Sequence, residues 1–383
     1  MLYLVTLLLT LGYGAIFALL AELQDEFGLP DWGLGVIAGS TFLAGLLAQL
    51  GLARYADRGH ARLLMLGGVA LAGLGMFWLI FATEVWEFAG GRILLGLGQG
   101  AFLPAARRII VTRNPEKAGE GLGRLSSAEI GGFLLGPPIA AIAAEALGLR
   151  APFIILTVLI AAVAPAVLLV KVPPSMSAGE GPVVRRLLRL PGIRAGLFLG
   201  AALYLSYGLF EAIWARYLTD LGASTLFIGI TLTIYGVPVV ILAPFAGKLA
   251  DRFGAFGTAI VCVTLTSAFV GLYGWFDILG VLVVIAVVNA VADAGATPAT
   301  QAAVAEASPP EHVAAGQGVL EAVGLAFAGF AALAAAPIYG EFGAAALFTG
   351  SAILMLACCV GAWFAWPEES ELPTAERTDV NRG

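Results

Sequence analysis

Twelve long apolar runs separated by short polar breaks organise this sequence, near residues 2–22, 33–53, 63–83, 86–106, 125–146, 151–170, 195–217, 224–247, 255–276, 278–302, 313–337 and 343–366. Each approaches the roughly 20 residues that an α-helix needs to cross the hydrocarbon of a bilayer. Runs this long and continuous exclude a β-barrel, whose strands are short and alternate. The pattern therefore predicts an all-α integral membrane protein with twelve transmembrane helices. The first run lacks a basic leader and a small-residue cleavage site, so it is expected to stay as a helix and not to be removed as a signal peptide.

The runs also repeat. Displaced by about 194 residues, Leu11, Gly12, Tyr13 and Gly14 fall on Leu205, Ser206, Tyr207 and Gly208, Gly28 falls on Gly222, and Pro104 falls on Pro298. After a one-residue slip, Phe153 falls on Phe348. Six runs lie in each half, which predicts two six-helix bundles related by internal duplication. The expected organisation is a first bundle over 1–171, a cytoplasmic linker over 172–193, a second bundle over 194–367 and a cytoplasmic tail over 368–383. Pro173, Pro174, Gly179, Gly181 and Pro182 break any helix in the linker, and residues 184–190 read as a short basic amphipathic turn on the inner membrane surface. Two similar bundles rocking about a shared interface can open a site to each side in turn. Transport of a small molecule is thus the first functional expectation, and one chain, holding both halves, is expected to act as a monomer.

Composition agrees: 60% of residues are apolar and 12% charged, which makes the lipid bilayer the expected surroundings. Seventeen of the twenty Lys and Arg residues, with Arg107 and Arg108 read as loop charges among them, fall in or beside alternate loops and the tail, and the opposite side carries Asp25, Glu26, Asp31 and Glu84. The bias of basic residues toward the cytoplasm predicts a multi-pass protein of the cell (inner) membrane with both termini cytoplasmic. Only His60 and His312 are histidines, and Cys262, Cys358 and Cys359 lie within spans without metal-ligand spacing. With no phosphate-cradling glycine loop either, no catalytic site, metal, cofactor or nucleic-acid partner is expected.

Three local patterns sharpen the picture. Between the second and third spans of the second half, Gly247, Leu249, Ala250, Asp251, Arg252 and Gly254 form G-x-L-A-D-R-x-G. An Asp beside helix ends can favour one packing of neighbouring helices through charge and dipole contacts. The first half keeps Asp57 and Arg58 but has Ala53 and His60 in place of the two outer glycines, so Asp57 reads either as a gating residue or as a charged topological anchor. In the fourth span Arg92 precedes Gly96 and Gly98. An Arg in the membrane costs at least roughly 2.5–3.5 kcal/mol, so it faces a cavity or a carboxylate, or else snorkels to the nearby outer edge. In the fifth span Gly132, Gly136 and Ala140 fall four apart on one helical face, which permits close packing, and Pro137 can bend the helix.

Together these patterns resemble the signatures of the major facilitator superfamily. The spacing of Gly123, Gly132, Gly136, Pro137 and Ala140 resembles the antiporter signature G-x8-G-x3-G-P-x2-G of its twelve-span drug:proton antiporters, with Ala140 for the last Gly. The resemblance covers essentially the whole chain. It implies the major facilitator fold, alternating access and export, and it implies gating or conformational roles for Asp57, Arg58, Asp251, Arg252, Gly132, Gly136 and Pro137.

Carboxylates within spans are the candidates for proton coupling, because burial disfavours the charged form and makes protonation switchable. Glu211 has Tyr204, Tyr207 and Gly208 on nearly the same face. An acid framed by aromatic rings suits a lipophilic cation; a local pair with Arg216 is the other reading. Asp293 shares its face with Asn289, Thr297 and Thr300, a polar stripe that lines a cavity or a helix contact. Glu129 lies on the side of the glycine stripe, and Glu321 lies near Gln317; each reads as a coupling acid or as a charge near the inner interface. Glu22 reads as an interfacial charge. The expected function is proton-coupled export of hydrophobic or cationic small molecules, with sodium as the alternative coupling ion. The alternatives are an importer or facilitator of a polar metabolite such as a sugar or organic acid, and, from another class, a non-transporting membrane sensor.

Overall fold

The computed structural model describes residues 1–55, 60–113, 118–170, 183–309 and 312–366, and among them there is helix and no strand. The helices are α1 (Leu2–Phe27), α2 (Asp31–Tyr55), α3 (Ala61–Leu79), α4 (Val85–Arg113), α5 (Ala118–Leu147) and α6 (Ala151–Val163) in the first half. A short α7 (Val183–Leu187) leads to α8 (Pro191–Asp220), α9 (Thr225–Phe253), α10 (Ala255–Tyr273), α11 (Leu279–Glu306) and α12 (Val313–Ala365). A tighter turn, Ala164–Leu169, prolongs α6. Eleven helices among the described residues are long and apolar enough to cross a bilayer. The last counts once but crosses twice. Its apolar stretch has 51 residues, about 77 Å at 1.5 Å per residue, and the backbone leaves helical geometry at Gly343, with φ 77° and ψ 178°. Twelve crossings result, as the apolar runs predict.

The duplication reaches down to backbone angles. Gly28 and Gly222 both close a helix at positive φ, 62° and 87°. In both, the next amide reaches back five residues, Leu29 to the carbonyl of Gln24 and Ala223 to that of Leu218, each at 3.0 Å. That satisfies carbonyls the helix end would leave bare, and glycine takes the left-handed angle at no steric cost. After the slip, Gly148 and Gly343 repeat the correspondence at φ 95° and 77°. Pro104 and Pro298 sit inside α4 and α11. Where the second half has Gly254 at φ 86°, the first has His60 at φ −92°, so the two halves enter their third helices through different backbone angles.

Within each half, α1 packs on α5 as α8 packs on the first arm of α12, and α2 and α3 flank α4 as α9 and α10 flank α11. Close approach depends on glycine. A Cβ at Gly14 would strike the carbonyl of Phe133, and one at the repeat-equivalent Gly208 would strike that of Ala328. We expect Gly208→Val, through overpacking worth about 1–3 kcal/mol, to lower the midpoint of thermal unfolding followed by tryptophan fluorescence. Gly257→Val, where a Cβ meets nothing within 4 Å, should leave it unchanged.

The two halves meet through a second symmetric pair of contacts, α2 on α12 and α5 on α9. Gly35 and Gly39 lie against Ala332 and Gly329, and Gly229 and Gly236 lie against Pro138 and Leu134. These contacts lie toward the membrane face that carries Gly28 and Gly222 and join the halves there. On the opposite face, which carries Met1, Arg107 is still 39% exposed.

Two sequence expectations need correction. Arg107 and Arg108, read as loop charges, belong to α4, which continues to Arg113, because helices run on past the apolar run into the polar boundary. The second bundle begins at Pro191 and not at 194, since Pro191 occupies the first turn of α8, where its fixed φ and missing N–H suit a helix start. Residues 172–182 of the expected linker and the 368–383 tail lie outside the described residues.

Candidate functional site

Helix α8 carries the site's axis. Four of its polar side chains reach successively toward other helices: Tyr204 toward α12, Tyr207 toward α11, Glu211 toward α4 and Arg216 toward α1. Tyr204 and Glu211 are seven residues apart, about 10.5 Å along the helix, so the layers are distinct.

Arg92 and Glu211 form the central layer. Arg92 is fully buried and Glu211 is 2% exposed. The guanidinium Nη2 donates to Glu211 Oε1, Nη1 donates to the Tyr13 carbonyl at 3.0 Å, and Nε to the Ile37 carbonyl at 3.4 Å. The Tyr13 ring lies 5.0 Å from the guanidinium carbon. Snorkelling of Arg92 is thereby excluded, although it stands only two turns into α4. The glycines that follow it explain the burial. Gly96 brings α4 against Thr41 of α2, and Gly98 brings it against Gly68 of α3, so α4 is drawn in between its neighbours, and α2 supplies the Ile37 carbonyl to the guanidinium. Glu211 does not pair with Arg216, which binds Asp220 on its own helix and Asp25 on α1.

Asp293, 4% exposed, makes the second layer. Its Oδ2 accepts from the Tyr235 hydroxyl at 3.0 Å, and Tyr207 donates at 3.5 Å while sharing a 2.8 Å bond with Thr297. No ion pair to Asp293 forms among the described residues. Asn289, one turn away and 1% exposed, leaves its Oδ1 without a partner among the described residues, and so does the buried Thr300 hydroxyl. Tyrosines thus serve both layers at repeat-equivalent positions: Tyr13 faces the buried cation in the first half, Tyr207 the buried anion in the second.

The third layer faces the Met1 side. Tyr204 donates to Glu321 at 3.0 Å and its ring lies 5.4 Å from that of Tyr207. Across the seam Arg107 and Glu129 pair at 3.2 Å, and Glu321 acts electrostatically on both. The structure therefore brings Glu129, Glu321 and Tyr204 into one neighbourhood. Glu22 is bridged across the halves, accepting from Thr225 at 2.8 Å.

The conformational candidates separate. Gly132 and Gly136 pack on α1, where a Cβ would meet Thr10 and Leu7, or Leu11 and Ala15; the glycine face of α5 thus joins the first half internally. Pro137 lies on α5 with its carbonyl against Gly229 of α9, at the contact between halves. Arg252 is exposed near the end of α9, 5.3 Å from the Phe253 ring, and Asp251 stands in the same final turn. Asp57 and Arg58 lie outside the described residues. Sequence reasoning missed Tyr13, Tyr235 and Arg107 as members of the site; for Tyr13, its correspondence with Tyr207 was an available signal.

Comparison with known proteins gives a consistent result. The family model of the Major Facilitator Superfamily matches residues 2–210 and again 196–381. The multidrug resistance protein MdtG of Proteus mirabilis is 28% identical over 261 residues, 63% of this chain and 64% of that protein. MdtG of Escherichia fergusonii is 31% identical over 231 residues, 57% of this chain and 56% of that protein. The chain thus spans less than two thirds of the length of these relatives. Among solved structures, a point mutant of the nucleoside transporter NupG superposes with a TM-score of 0.80 at 12% identity, over 96% of this chain and 99% of that one. A bacterial homolog of the human lysosomal transporter Spinster, inward-facing and occupied, gives 0.76 at 15% identity, over 95% of each chain. At such identities these likenesses concern the fold alone.

Proposed function

Because the chain belongs to the Major Facilitator Superfamily, we propose that it is a secondary transporter, not an enzyme, that exports hydrophobic or cationic small molecules in exchange for protons by alternating access. The observation that carries this reading is the pair of buried acids at the seam. Glu211 is neutralised by Arg92 of the other half, whereas Asp293 has only tyrosine hydroxyls among the described residues. A buried carboxylate without a cation is costly, and a proton relieves that cost. Its uptake and release bias the rocking of the two halves, as does binding of the cation at the tyrosine rings. The relatives named as multidrug resistance proteins support a drug-like substrate, and the rings of Tyr204 and Tyr207 support contact with a lipophilic cation.

In this reading the Met1 face is cytoplasmic, in keeping with its load of Arg and Lys, and the protein works as a monomer in the cell membrane. A cation from the cytosol passes Arg107, Glu129 and Glu321 and meets the tyrosines before the halves rock.

The test is substrate-dependent proton movement in proteoliposomes under an imposed pH gradient, screening lipophilic cations against sugars and organic acids. Cation movement opposite to protons is the expected result. Movement of a polar solute with protons, or of any solute without a gradient, overturns export. Coupling that follows a sodium gradient instead overturns the proton.

A further inference from the structure

Granted the exporter reading, on which this rests, we infer that Gln99 of α4 binds the transported cation by taking a hydroxyl or similar hydrogen-bonding group that the cation carries. Gln99 thereby selects polar-substituted cations over purely hydrocarbon ones. The Arg92–Glu211 contact fixes the register of α4 against α8, which run in opposite directions across the membrane. Seven residues toward the Met1 face on each helix stand Gln99 and Tyr204. Seven residues are about 10.5 Å of helix and fall within about 20° of two full turns, so Gln99 lies on the seam face of α4 at the depth of the Tyr204 and Tyr207 rings. The lipid-facing side of α4 is elsewhere. Trp86 is 68% exposed and Ile93 41%, and these point about 140° and 120° away from Gln99. Gln99 is partly exposed, and the surface it keeps is turned to the seam and not to lipid.

The duplication leads independently to the same residue. Gln99 stands five residues before Pro104, as Asp293 stands five before Pro298, so the amide is the first half's counterpart of the second half's buried acid. Asp293 is met by Tyr235, thirteen residues after Gly222. Thirteen residues after Gly28 stands Thr41 instead, whose buried hydroxyl makes no hydrogen bond among the described residues. A short threonine thus replaces the long reach of tyrosine, and the Gln99 amide likewise makes no hydrogen bond among the described residues. An amide at membrane depth without a partner is costly. With both donors and an acceptor, it can serve a ligand hydroxyl in either sense, and a site built to bond such a group discriminates against a ligand that lacks it. The tyrosine rings hold the body of the cation on one side of the seam, and Gln99 receives its polar substituent from the other.

The experiment is equilibrium binding to the purified full chain, by calorimetry, of tetraphenylphosphonium and of its analogue with a hydroxymethyl group on one ring. The wild-type protein should bind the hydroxymethyl cation about threefold to tenfold more tightly, the scale of one hydrogen bond. Gln99→Leu should erase that preference by weakening the hydroxymethyl cation alone, leaving the Kd of tetraphenylphosphonium unchanged. A purely structural role for Gln99 would move both constants together. Should the leucine variant fold poorly, Gln99→Glu keeps the side-chain length and adds a charge beside the cation, and it should tighten both probes at least about tenfold. Equal wild-type affinities overturn the role of Gln99, as do a preference that survives Gln99→Leu, equal weakening of both probes, or unchanged affinities in Gln99→Glu. Each of these leaves the exporter reading standing. If the wild-type protein binds neither probe, the cationic substrate of that reading falls, and the role of Gln99 falls with it.

Discussion

Arg92→Met should cost about 3–5 kcal/mol of stability, the scale for stranding one partner of a buried ion pair, and should abolish cation transport. Met fills much of the volume but leaves Glu211, 2% exposed, without its cation, and leaves the Tyr13 and Ile37 carbonyls without their donors. Adding Glu211→Leu removes the stranded charge, so the double variant should recover most of the stability, since a buried pair replaced by apolar groups is often neutral. Transport should stay lost, because nothing remains at that layer to exchange partners when the halves separate. The experiment is a double-mutant cycle on unfolding in nanodiscs, read beside cation flux in proteoliposomes. Additive single effects on stability would show that the pair is not coupled. Full transport by Arg92→Met would remove the pair from the mechanism.

The pair also marks where sequence reasoning ran short and where it did not have to. Spans and duplication were legible because apolar runs must match the bilayer and because both halves use the same glycines and prolines, down to Gly28 and Gly222 at positive φ. The one run hidden from a helix count is the last, where Gly343 bends α12 without ending it. A local Glu211–Arg216 pair could have been rejected from helix geometry alone. Five residues turn the helix through about 500°, so Arg216 stands roughly 140° from Glu211, while Asp220, four residues beyond Arg216, shares its face and is its partner. What no periodicity could supply was the partner from the other half, because Arg92 and Glu211 are 119 residues apart and nothing local ties them. Tyr235 was invisible for a different reason: a single tyrosine in an apolar run reads as core until its hydroxyl is seen on Asp293. Arg107 was misread because the apolar run stops one residue earlier while the helix does not.

Asp293→Asn should uncouple the transporter without closing it. Asn has the same shape and can still accept from Tyr235 and Tyr207, so the tyrosines keep their positions, but it cannot bind and release a proton. A pH gradient of one unit supplies about 1.4 kcal/mol per proton, enough for about tenfold accumulation of a cation exchanged one for one. The variant should lose that accumulation while still exchanging labelled for unlabelled cation at near the wild-type rate. Glu211→Gln should behave differently, because it strands the Arg92 guanidinium and should impair exchange as well as accumulation. If Asp293→Asn still concentrates substrate against the gradient, the coupling proton rides elsewhere, and Glu129 and Glu321, which share the Met1-side layer with Arg107, become the next acids to replace. If it loses exchange too while keeping its thermal midpoint, Asp293 contacts the substrate itself, and proton and cation compete for one carboxylate.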